Sequence, residues 1–451
     1  MNEVTQFVTG LSWDDVPSAT ARRVDWLLRD FAAVSLLGRA VPAARLAADH
    51  ADRWHPGATA TGLLDGRRHS PIGAAWANGV LANALDLDDG HSLVKGHPGA
   101  VIIPAALALA EHADATPDEL RIAVLIGYEV GVRTGLGWHR SGTYHGSGSW
   151  GAVGAAAAGA RLLRLDENRT MHALGLAAYH APLVPTMQSV ADPAMTKDGT
   201  GWGAAVGVES CLLAESGFTA AVSAVCADGH TDLAETWVTD DVYMKAFPCC
   251  RWSQPAVQAA LALRSDHQAD ASRIHHVLVR TFGAAAGLPH HPPRTTEQAQ
   301  YSLVWPLAVA LVHGEFGVEH VTHDSLHDPD VLTLLDRIEV TVDPDFDAAF
   351  PARRFAAVSV TIGEQTVASS VTESPGEPSD PRWEQIIEAK VANCAGLLSA
   401  APAAGAEPSS AQAPRVDRAG ACRVALGSAS LAAILHVLAG CHVASRERAR
   451  A

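Results

Sequence analysis

The sequence predicts a mainly α-helical protein, with a large helical domain and a smaller α+β domain inserted before its end. At 451 residues the chain is too long for one ordinary core, so two domains are expected. Hydrophobic residues make up 48% of the chain and alanine is abundant, which favours closely packed helices. Alternating segments typical of strands lie together after residue 266. We therefore predict a helical domain of residues 1–265 and 383–451, and an α+β domain of residues 266–382.

Apolar residues at helical spacing predict a series of helices in the first domain. The first begins near Ser18 and buries Leu27 and Leu28 on one side. The predicted helices cover residues 18–38, 42–53, 69–84, 100–110, 116–133, 152–163, 204–216 and 255–265. The third continues towards Asp89, and Gly90 is expected to close it in a left-handed turn.

Alternation of apolar and polar residues predicts the strands of the α+β domain. The predicted strands cover residues 274–282, 337–342, 356–363 and 366–371, the last as a hairpin partner of the third. One helix is predicted over residues 295–312, between the first two strands. The chain then returns to helices at residues 383–398 and 428–439, joined by an alanine- and proline-rich linker over residues 400–414.

The composition argues against several classes of partner. A net charge of −16 and a pI near 5.7 disfavour nucleic acid and anionic membrane surfaces. The seven cysteines show no C-x-x-C spacing, which indicates free thiols in a reducing compartment and predicts no metal site. The first residues lack the basic and apolar segments of a signal peptide, and no apolar run reaches the ~20 residues of a membrane span. We expect a cytoplasmic protein.

Ionisable residues are concentrated just before a predicted buried helix. Within twelve residues the chain carries Asp86, Asp88, Asp89, His91, Lys95 and His97. The helix that follows begins near Pro98, and its free N–H groups suit a small carboxylate. Perturbed ionisable groups cluster at functional sites, so this segment is the first candidate site. The alternative is that the aspartates only cap helices and solvate a loop.

Two glycine-rich segments each run into a helix of small residues. Residues 141–151 (SGTYHGSGSWG) place His145 before a helix, where backbone N–H groups can approach a ligand closely. Residues 195–203 (MTKDGTGWG) place Lys197 in the corresponding position before the next helix. The first segment is not a phosphate loop, because no Gly-Lys-Ser/Thr follows. The alternatives are a histidine that only makes hydrogen bonds and a surface lysine.

Lysines are few, and three of them stand in apolar or glycine-rich surroundings. These are Lys95, Lys197 and Lys245. An acidic protein that binds an anionic substrate must concentrate its few cations at the site. Lys245 is followed closely by Cys250 and Arg251, ahead of another predicted helix. We expect these cations to hold an acid.

Four motifs follow one another along the chain: DLDDGHSLVKGHPGAVIIPAALALAE, HGSGSWGAVGAAAAGARLL, MTKDGTGWGAAVG and KAFPCC. This is the order seen in the MmgE/PrpD family, which the chain resembles up to about Leu398. That family includes 2-methylcitrate dehydratases, cis-aconitate decarboxylases and iminodisuccinate epimerases. The resemblance implies a large helical domain, a smaller α+β lid, a homodimer, and a cofactor-free site in the cleft between the domains.

The resemblance also implies site residues. Similarity to the decarboxylase branch places Asp86, His97, His145 and Lys197 at site positions and Lys245 beside the site. A lid helix that faces the cleft in relatives carries Tyr301 and Trp305. The expected catalytic residues are Asp86, His97, His145 and Lys197. The expected substrate-binding residues are Lys95, Lys245, Asp89, His91, Cys250, Tyr301 and Trp305.

The chain departs from the family pattern at several site positions. Gly90 stands where the dehydratase and decarboxylase branches tend to have Thr, and Cys250 and Gln254 stand where they tend to have His. Trp305 falls where the decarboxylase has Tyr. The loop before His97 has the length seen in the epimerase, where a basic residue resembles Lys95. These differences argue against a citrate-type substrate.

The chemistry common to these residues is proton movement on carbon next to a carboxylate. A lysine stabilises the charge that develops on the carboxylate oxygens, and a histidine takes or gives the proton. The first hypothesis is a dehydratase, a lyase acting on a small hydroxy-carboxylic acid. The alternatives are an isomerase or epimerase of a dicarboxylic or imino acid, a decarboxylase, and a non-catalytic relative that binds a small acid. No cofactor is expected.

Overall fold

The computed structural model describes residues 3–221, 232–267 and 271–400, and the structural statements below refer to these residues. In chain order the helices are α1 (Glu3–Gly10), α2 (Ser18–Gly38), α3 (Pro42–Trp54), α4 (Pro71–Asn83), α5 (Gly99–His112), α6 (Pro117–Trp138), α7 (Ser147–Leu162), α8 (Glu167–His180), α9 (Thr186–Ala191), α10 (Thr200–Glu215), α11 (Gln254–His267), α12 (Gly283–Ala286), α13 (Thr296–Gln300), α14 (Val304–His313), α15 (Pro329–Leu335), α16 (Pro344–Ala349) and α17 (Trp383–Ala400). The prediction of a mainly α-helical protein is confirmed. The predicted helix over residues 428–439, and the predicted linker beyond residue 400, lie outside the described residues.

Small residues let the central helices α5, α6, α7 and α10 pack at close range. A Cβ atom added to Gly154 of α7 would lie 2.6 Å from the carbonyl oxygen of Gly127 on α6. Alanine and glycine therefore supply contact between helix backbones here, in place of bulky side chains. Helices α5 and α7 are almost wholly buried as a result.

Helices α7 and α10 begin four to five residues earlier than predicted, so the expected glycine-rich loops are shorter. Helix α7 takes up residues 147–151 of its glycine-rich segment, and α10 takes up residues 200–203 of its own. The physical reason is the close approach of the two helix starts. A Cβ on Gly148 would lie 2.2 Å from the oxygen of Gly199, and one on Gly203 would lie 2.5 Å from the oxygen of Gly148. These glycines serve helix packing rather than ligand approach.

The strands form one main sheet and two short pairs. They are β1 (Pro56–Thr61), β2 (Arg68–His69), β3 (Gly90–His91), β4 (Val242–Tyr243), β5 (Ile274–Thr281), β6 (Ile338–Val342), β7 (Phe355–Ile362), β8 (Gln365–Ala368) and β9 (Thr372–Glu373). In the main sheet the order is β6-β5-β7-β8, and β9 also pairs with β7. Strand β5 lies parallel to β6 and antiparallel to β7. This sheet belongs to the smaller α+β domain, which is called the lid domain below, although its role as a lid stays a prediction.

The single helix predicted over residues 295–312 is wrong. The structure has two helices, α13 and α14, separated by residues 301–303. Pro306 explains the break, because its ring clashes with the carbonyl four residues earlier and it has no N–H to donate. The hydroxyl of Ser302 accepts from the backbone N–H of Trp305 and helps start α14.

After the sheet, the chain returns to the helical domain through α17. This helix packs on α2, and the ammonium of Lys390 lies 2.6 Å from the Asp30 carboxylate. The same ammonium donates to the carbonyl of Leu87, which precedes the candidate site. The exact domain boundaries stay a prediction.

Within the described ranges, no single helix is long and apolar enough to cross a membrane. Helices α2 and α3 pass such a test of length and composition only as a pair, and they are bent by 95° relative to each other.

Candidate active site

The loop between α4 and α5 differs from the prediction at both of its landmarks. Helix α4 ends at Asn83, and the left-handed residue is Asp86, with φ of 52°, rather than Gly90. Gly90 instead pairs with Tyr243 between β3 and β4. A Cβ on Gly90 would lie 2.4 Å from the Tyr243 ring, so glycine is required there for space.

The start of helix α5 is already occupied by a side chain of the protein. The Asp89 carboxylate accepts from the Gly99 backbone N–H at 3.0 Å and from the Tyr128 hydroxyl at 2.6 Å. Burial, and the nearby carboxylates of Asp30 and Asp88, raise the pKa of Asp89 to about 7 against these hydrogen bonds. The expectation that Asp89 and this helix terminus bind substrate is therefore not supported by the geometry.

A small cavity lies where the loop meets the lid domain. Its empty volume is about 510 Å³, including the part open to solvent. Of the expected site residues, those that line it are Asp86, Lys95, His97, Lys245, Cys250 and Tyr301. The cavity is also lined by residues that the sequence analysis did not select as site residues, among them Asp198, Tyr243, Arg251 and Arg354.

Asp86 and Lys245 form a buried ion pair in the cavity wall. The Lys245 ammonium lies 2.8 Å from the Asp86 carboxylate and also donates to the Asp86 backbone oxygen at 2.9 Å. Burial raises the pKa of Asp86, but Lys245, Lys197 and His97 outweigh it, and the pKa lies below its ordinary value. Burial lowers the pKa of Lys245, but Asp86, Tyr243 and Asp88 together outweigh burial, and the pKa lies above its ordinary value. Both groups are therefore charged.

His97 projects from the loop into the middle of the cavity. Its Nδ1 lies 2.7 Å from the Asp89 backbone oxygen, so in the neutral ring Nδ1 carries the hydrogen and donates it. Its Nε2 then has a free lone pair, 3.5 Å from the Asp86 carboxylate and 4.0 Å from that of Asp198. This arrangement leaves Nε2 able to accept a proton.

Asp198 is the acidic residue that the sequence analysis missed. Its carboxylate accepts from the Ser147 hydroxyl at 3.0 Å. Burial raises the pKa of Asp198, and the nearby His97 lowers it only in part. A usable signal existed, because Asp198 directly follows Lys197 in the motif MTKDG.

Lys197 lies behind the cavity wall rather than in it. Its ammonium donates to the backbone oxygen of Asn83 at 2.8 Å and to the side-chain oxygen of Gln300. Burial lowers the pKa of Lys197, although Asp86 raises it. Because Gln300 belongs to α13, Lys197 ties the lid domain to the end of α4.

His145 and Trp305 lie outside the cavity lining. The ring of His145 packs 6.0 Å from that of His139, and its backbone N–H donates to the His139 ring at 3.1 Å. The Trp305 indole is fully buried within the lid domain and donates to the His320 backbone oxygen at 3.0 Å. The break before α14 places Trp305 on a different helix from the one that reaches the cavity.

His91 is also set back from the cavity. It lies in β3, fully enclosed, and burial together with Arg133 and Arg354 lowers its pKa to about 4. A neutral imidazole in this position supports the loop, and the geometry gives it no contact with the cavity.

Left-handed backbone conformations cluster at the site. Asp86, Lys95 and Lys197 have φ of 52°, 54° and 42°, and none of them is glycine. Such conformations cost about 1–3 kcal/mol each and persist only where the surroundings enforce them. Asp86 and Lys95 line the cavity and Lys197 lies behind its wall, so three of the six such residues in the described ranges lie at the candidate site.

One cluster in the cavity has the spacing of a metal site. Asp86, Asp88 and His97 each place a ligand atom within 4.8 Å of the others. A cation there would have to displace the Lys245 ammonium from Asp86. The existing ion pair therefore fits a proton-transfer site better than a metal site.

Fold and cavity together define a class of protein. A helical domain and an α+β domain enclose carboxyl groups whose pKa values are shifted by their neighbours and a histidine whose tautomer is set by a hydrogen bond, as in enzymes that use acid–base catalysis. The chain belongs to the MmgE/PrpD family: the family's N-terminal domain matches residues 2–241 and its C-terminal domain matches residues 247–407.

Similar proteins are cis-aconitate decarboxylases. The chain is 25% identical over 443 residues to cis-aconitate decarboxylase of Aspergillus terreus, covering 88% of this chain and 89% of the relative. It is 24% identical over 387 residues to cis-aconitate decarboxylase-like protein oryM of Aspergillus oryzae, covering 76% and 80%. The human cis-aconitate decarboxylase is 23% identical over 364 residues, with 74% of each chain covered. The homodimer stays a prediction.

Proposed function

We propose that the protein is a lyase that acts on a small carboxylic acid through proton transfer at the carbon next to a carboxylate. One observation carries the proposal: two buried carboxyl groups with opposite pKa shifts flank His97 Nε2. The pKa of Asp86 is lowered and that of Asp198 is raised. Paired groups whose environments separate their pKa values are suited to different roles in one reaction: the ionised Asp86 can stabilise a positive charge on His97, and Asp198 can act as the acid.

His97 is the proposed base. Its Nδ1 hydrogen is held by the Asp89 backbone oxygen, so Nε2 faces the substrate with a lone pair. When Nε2 takes a proton from the substrate carbon, the Asp86 carboxylate at 3.5 Å stabilises the resulting imidazolium. Lys245 stabilises the negative charge that develops on the substrate carboxylate, because its ammonium has a third N–H beyond its two contacts with Asp86.

Asp198 is the proposed acid. Its raised pKa favours the protonated form, which can give a proton to a departing hydroxyl group. Loss of water from a hydroxy acid then leaves an unsaturated acid. This dehydration is the first candidate reaction and agrees with the first hypothesis from the sequence.

Decarboxylation is the second candidate, and the names of the relatives favour it. In that reaction carbon dioxide leaves the substrate, and the electron pair of the broken bond takes up a proton at carbon. Protonated His97 or Asp198 can supply that proton, since both line the cavity. The same residues can therefore support either dehydration or decarboxylation, and identifying the product distinguishes these two reactions.

Product analysis with one set of variants tests the proposal. Hydroxy acids and unsaturated acids are incubated with the protein, and alkene formation, carbon dioxide release and deuterium uptake from heavy water are followed. His97→Gln and Asp198→Asn should each lower kcat by roughly 10²–10⁴-fold. His276→Gln, at an exposed pair with Glu339, is the matched control and should change nothing.

Three results would contradict the proposal or part of it. Full activity of His97→Gln would remove the assigned base. Deuterium exchange without alkene or carbon dioxide would indicate an epimerase instead of a lyase. A large loss of activity in His145→Gln would restore the catalytic role that the sequence predicted for His145 alongside His97, although His145 does not line the cavity.

A further inference from the structure

The guanidinium of Arg354 is buried with most of its hydrogen-bonding capacity unused. Arg354 is only 2% exposed, and its one hydrogen bond runs from Nη2 to the Ser92 backbone oxygen at 3.3 Å. Its Nε and Nη1 are buried and have no partner. Burying an unpaired charge is costly, so such a group is a strong indication of an anion that binds beside it.

Arg354 faces the cavity, and a second cation lies with it. Both Arg354 and Lys95 line the cavity, and neither forms a salt bridge within the described residues. The Lys95 ammonium lies 3.6 Å above the ring of Tyr144 and contacts no carboxylate there. Burial lowers the pKa of Lys95, and repulsion by the positive charge of Arg354 lowers it further.

The neighbouring Arg251 shows the contrast. It also lines the cavity, but its guanidinium donates to the Pro375 backbone oxygen and to the Glu377 carboxylate, both at 2.6 Å. Arg251 is thus held by the protein, whereas Arg354 is not. The free positive charge in the cavity wall comes from Arg354 and Lys95.

We propose that Arg354, with Lys95 beside it, binds a second carboxylate of the substrate, away from the carbon at which His97 acts. Arg354 is then a specificity-determining residue that selects acids with two carboxylates over acids with one. The planar guanidinium offers two parallel N–H donors that match a carboxylate. This inference rests on the proposed function, because it assumes that the first carboxylate lies at Lys245.

The position of Arg354 in the fold gives the inference a structural consequence. Arg354 directly precedes β7 in the lid domain, whereas Asp86 and His97 belong to the helical domain. An acid held at both ends contacts both domains. A monocarboxylic acid would contact only the helical side and leave the Arg354 nitrogens unpaired.

Matched ligands test this directly. Binding of succinate and of succinamate, in which an amide replaces one carboxylate, is measured by isothermal titration calorimetry, and glutarate and glutaramate provide a longer pair. Wild type should bind the diacid of the better-fitting pair roughly ten- to hundredfold more tightly than its half-amide. Arg354→Gln should lose most of that preference while keeping its affinity for the half-amide.

Controls separate binding from folding. Arg353→Gln changes the adjacent arginine, which is exposed and paired with Glu373, and should leave the preference intact. Arg354→Lys keeps the charge and should keep part of the preference. If Arg354→Gln does not fold, two measurements test the proposal instead. One is the preference of wild type for the diacid over its half-amide, and the other is the loss of part of that preference in Lys95→Gln.

The outcomes distinguish this inference from the proposed function. Equal affinity of wild type for diacid and half-amide, or an unchanged preference in Arg354→Gln, overturns the role of Arg354 and leaves the lyase proposal standing. If wild type prefers the diacid over its half-amide but turns over no acid, the lyase proposal is overturned. If wild type binds none of the four ligands, the role of Arg354 is overturned, and turnover of hydroxy acids and unsaturated acids still decides the lyase proposal.

Discussion

The cavity has a helical wall, formed by residues of the helical domain, and a lid wall, formed by residues of the lid domain. The two walls differ in how their charged groups are paired. On the helical side the Asp86 carboxylate forms an ion pair with the Lys245 ammonium, and the His97 Nδ1 hydrogen is held by the Asp89 backbone oxygen. On the lid side the Arg354 guanidinium keeps two nitrogens without any partner. The difference teaches that the groups proposed for proton transfer are oriented before substrate arrives, while the groups proposed for recognition wait for the ligand to complete them.

This contrast has an energetic meaning. Partners on the helical wall hold each proton-transfer group in one geometry, so little reorganisation is needed during reaction. An unpaired cation on the lid wall lowers the stability of the protein without ligand. A carboxylate that binds this cation pairs its charge and thereby stabilises the folded protein. Substitutions on the two walls should therefore affect folding in opposite ways.

The largest effect on stability is expected at the ion pair. Lys245→Met removes the cation and leaves the Asp86 carboxylate buried alone, which should lower the free energy of unfolding by about 3–5 kcal/mol. Urea unfolding at pH 7 measures this. Arg353→Met, which removes an exposed pair, is the control and should cost no more than about 1 kcal/mol. Similar losses in the two variants would show that burial does not strengthen the helical wall.

A pH-dependent effect is expected at Asp89, next to the helical wall. The pKa of Asp89 is about 7 in the folded protein, raised by burial from an ordinary value near 3.8. The folded state therefore holds a proton that the unfolded state releases between these values. The stabilisation is complete below pH 3.8 and disappears as the pH rises through 7.

Asp89→Asn isolates this contribution. The amide keeps an acceptor for Gly99 but cannot titrate, so the difference in unfolding free energy between wild type and variant should change by about 2–4 kcal/mol between pH 4 and pH 8. Wild type should lose stability relative to the variant as the pH rises. A difference that stays constant across this range would mean that Asp89 is ionised throughout.

The sequence predicted the long helices well because their signals are local. The cap and apolar spacing of α6 lie within the helix itself, where Thr116 accepts from Glu119 as its position suggests. The predicted starts of α7 and α10 were wrong because the glycines at these starts pack against each other, although they are about fifty residues apart in sequence. Local patterns do not contain such contacts.

The candidate site shows the same limit. Asp86, His97 and Lys245 were selected from motifs, and the structure brings them to one cavity. Arg354 could not be found that way, because its single hydrogen bond reaches Ser92, 262 residues earlier. Its significance depends on the nitrogens that remain unpaired, and only a folded structure shows those.

A smaller loss is expected where the helical wall meets Tyr243. Gly90→Ala would place a Cβ 2.4 Å from the Tyr243 ring, which lines the cavity. The ring must shift, at a cost of about 1–3 kcal/mol in unfolding free energy. Thermal unfolding measures this, with Gly10→Ala as control because no atom lies within 4 Å of its added Cβ. An unchanged midpoint in Gly90→Ala would show that Tyr243 moves freely.

The smallest effect on stability is expected at the lid wall, and it is the sharpest test of the contrast. Arg354→Met removes a buried charge that has only one hydrogen bond, so the free energy of unfolding should stay within about 1 kcal/mol of wild type or rise. Urea unfolding without any carboxylic acid in the buffer measures this against Lys245→Met under the same conditions. If Arg354→Met lowers the free energy of unfolding as much as Lys245→Met does, Arg354 is needed for folding, as Lys245 is. Stability that is kept in Arg354→Met, combined with lost preference for diacids in Arg354→Gln, would instead show that this arginine is retained for the ligand and not for the fold.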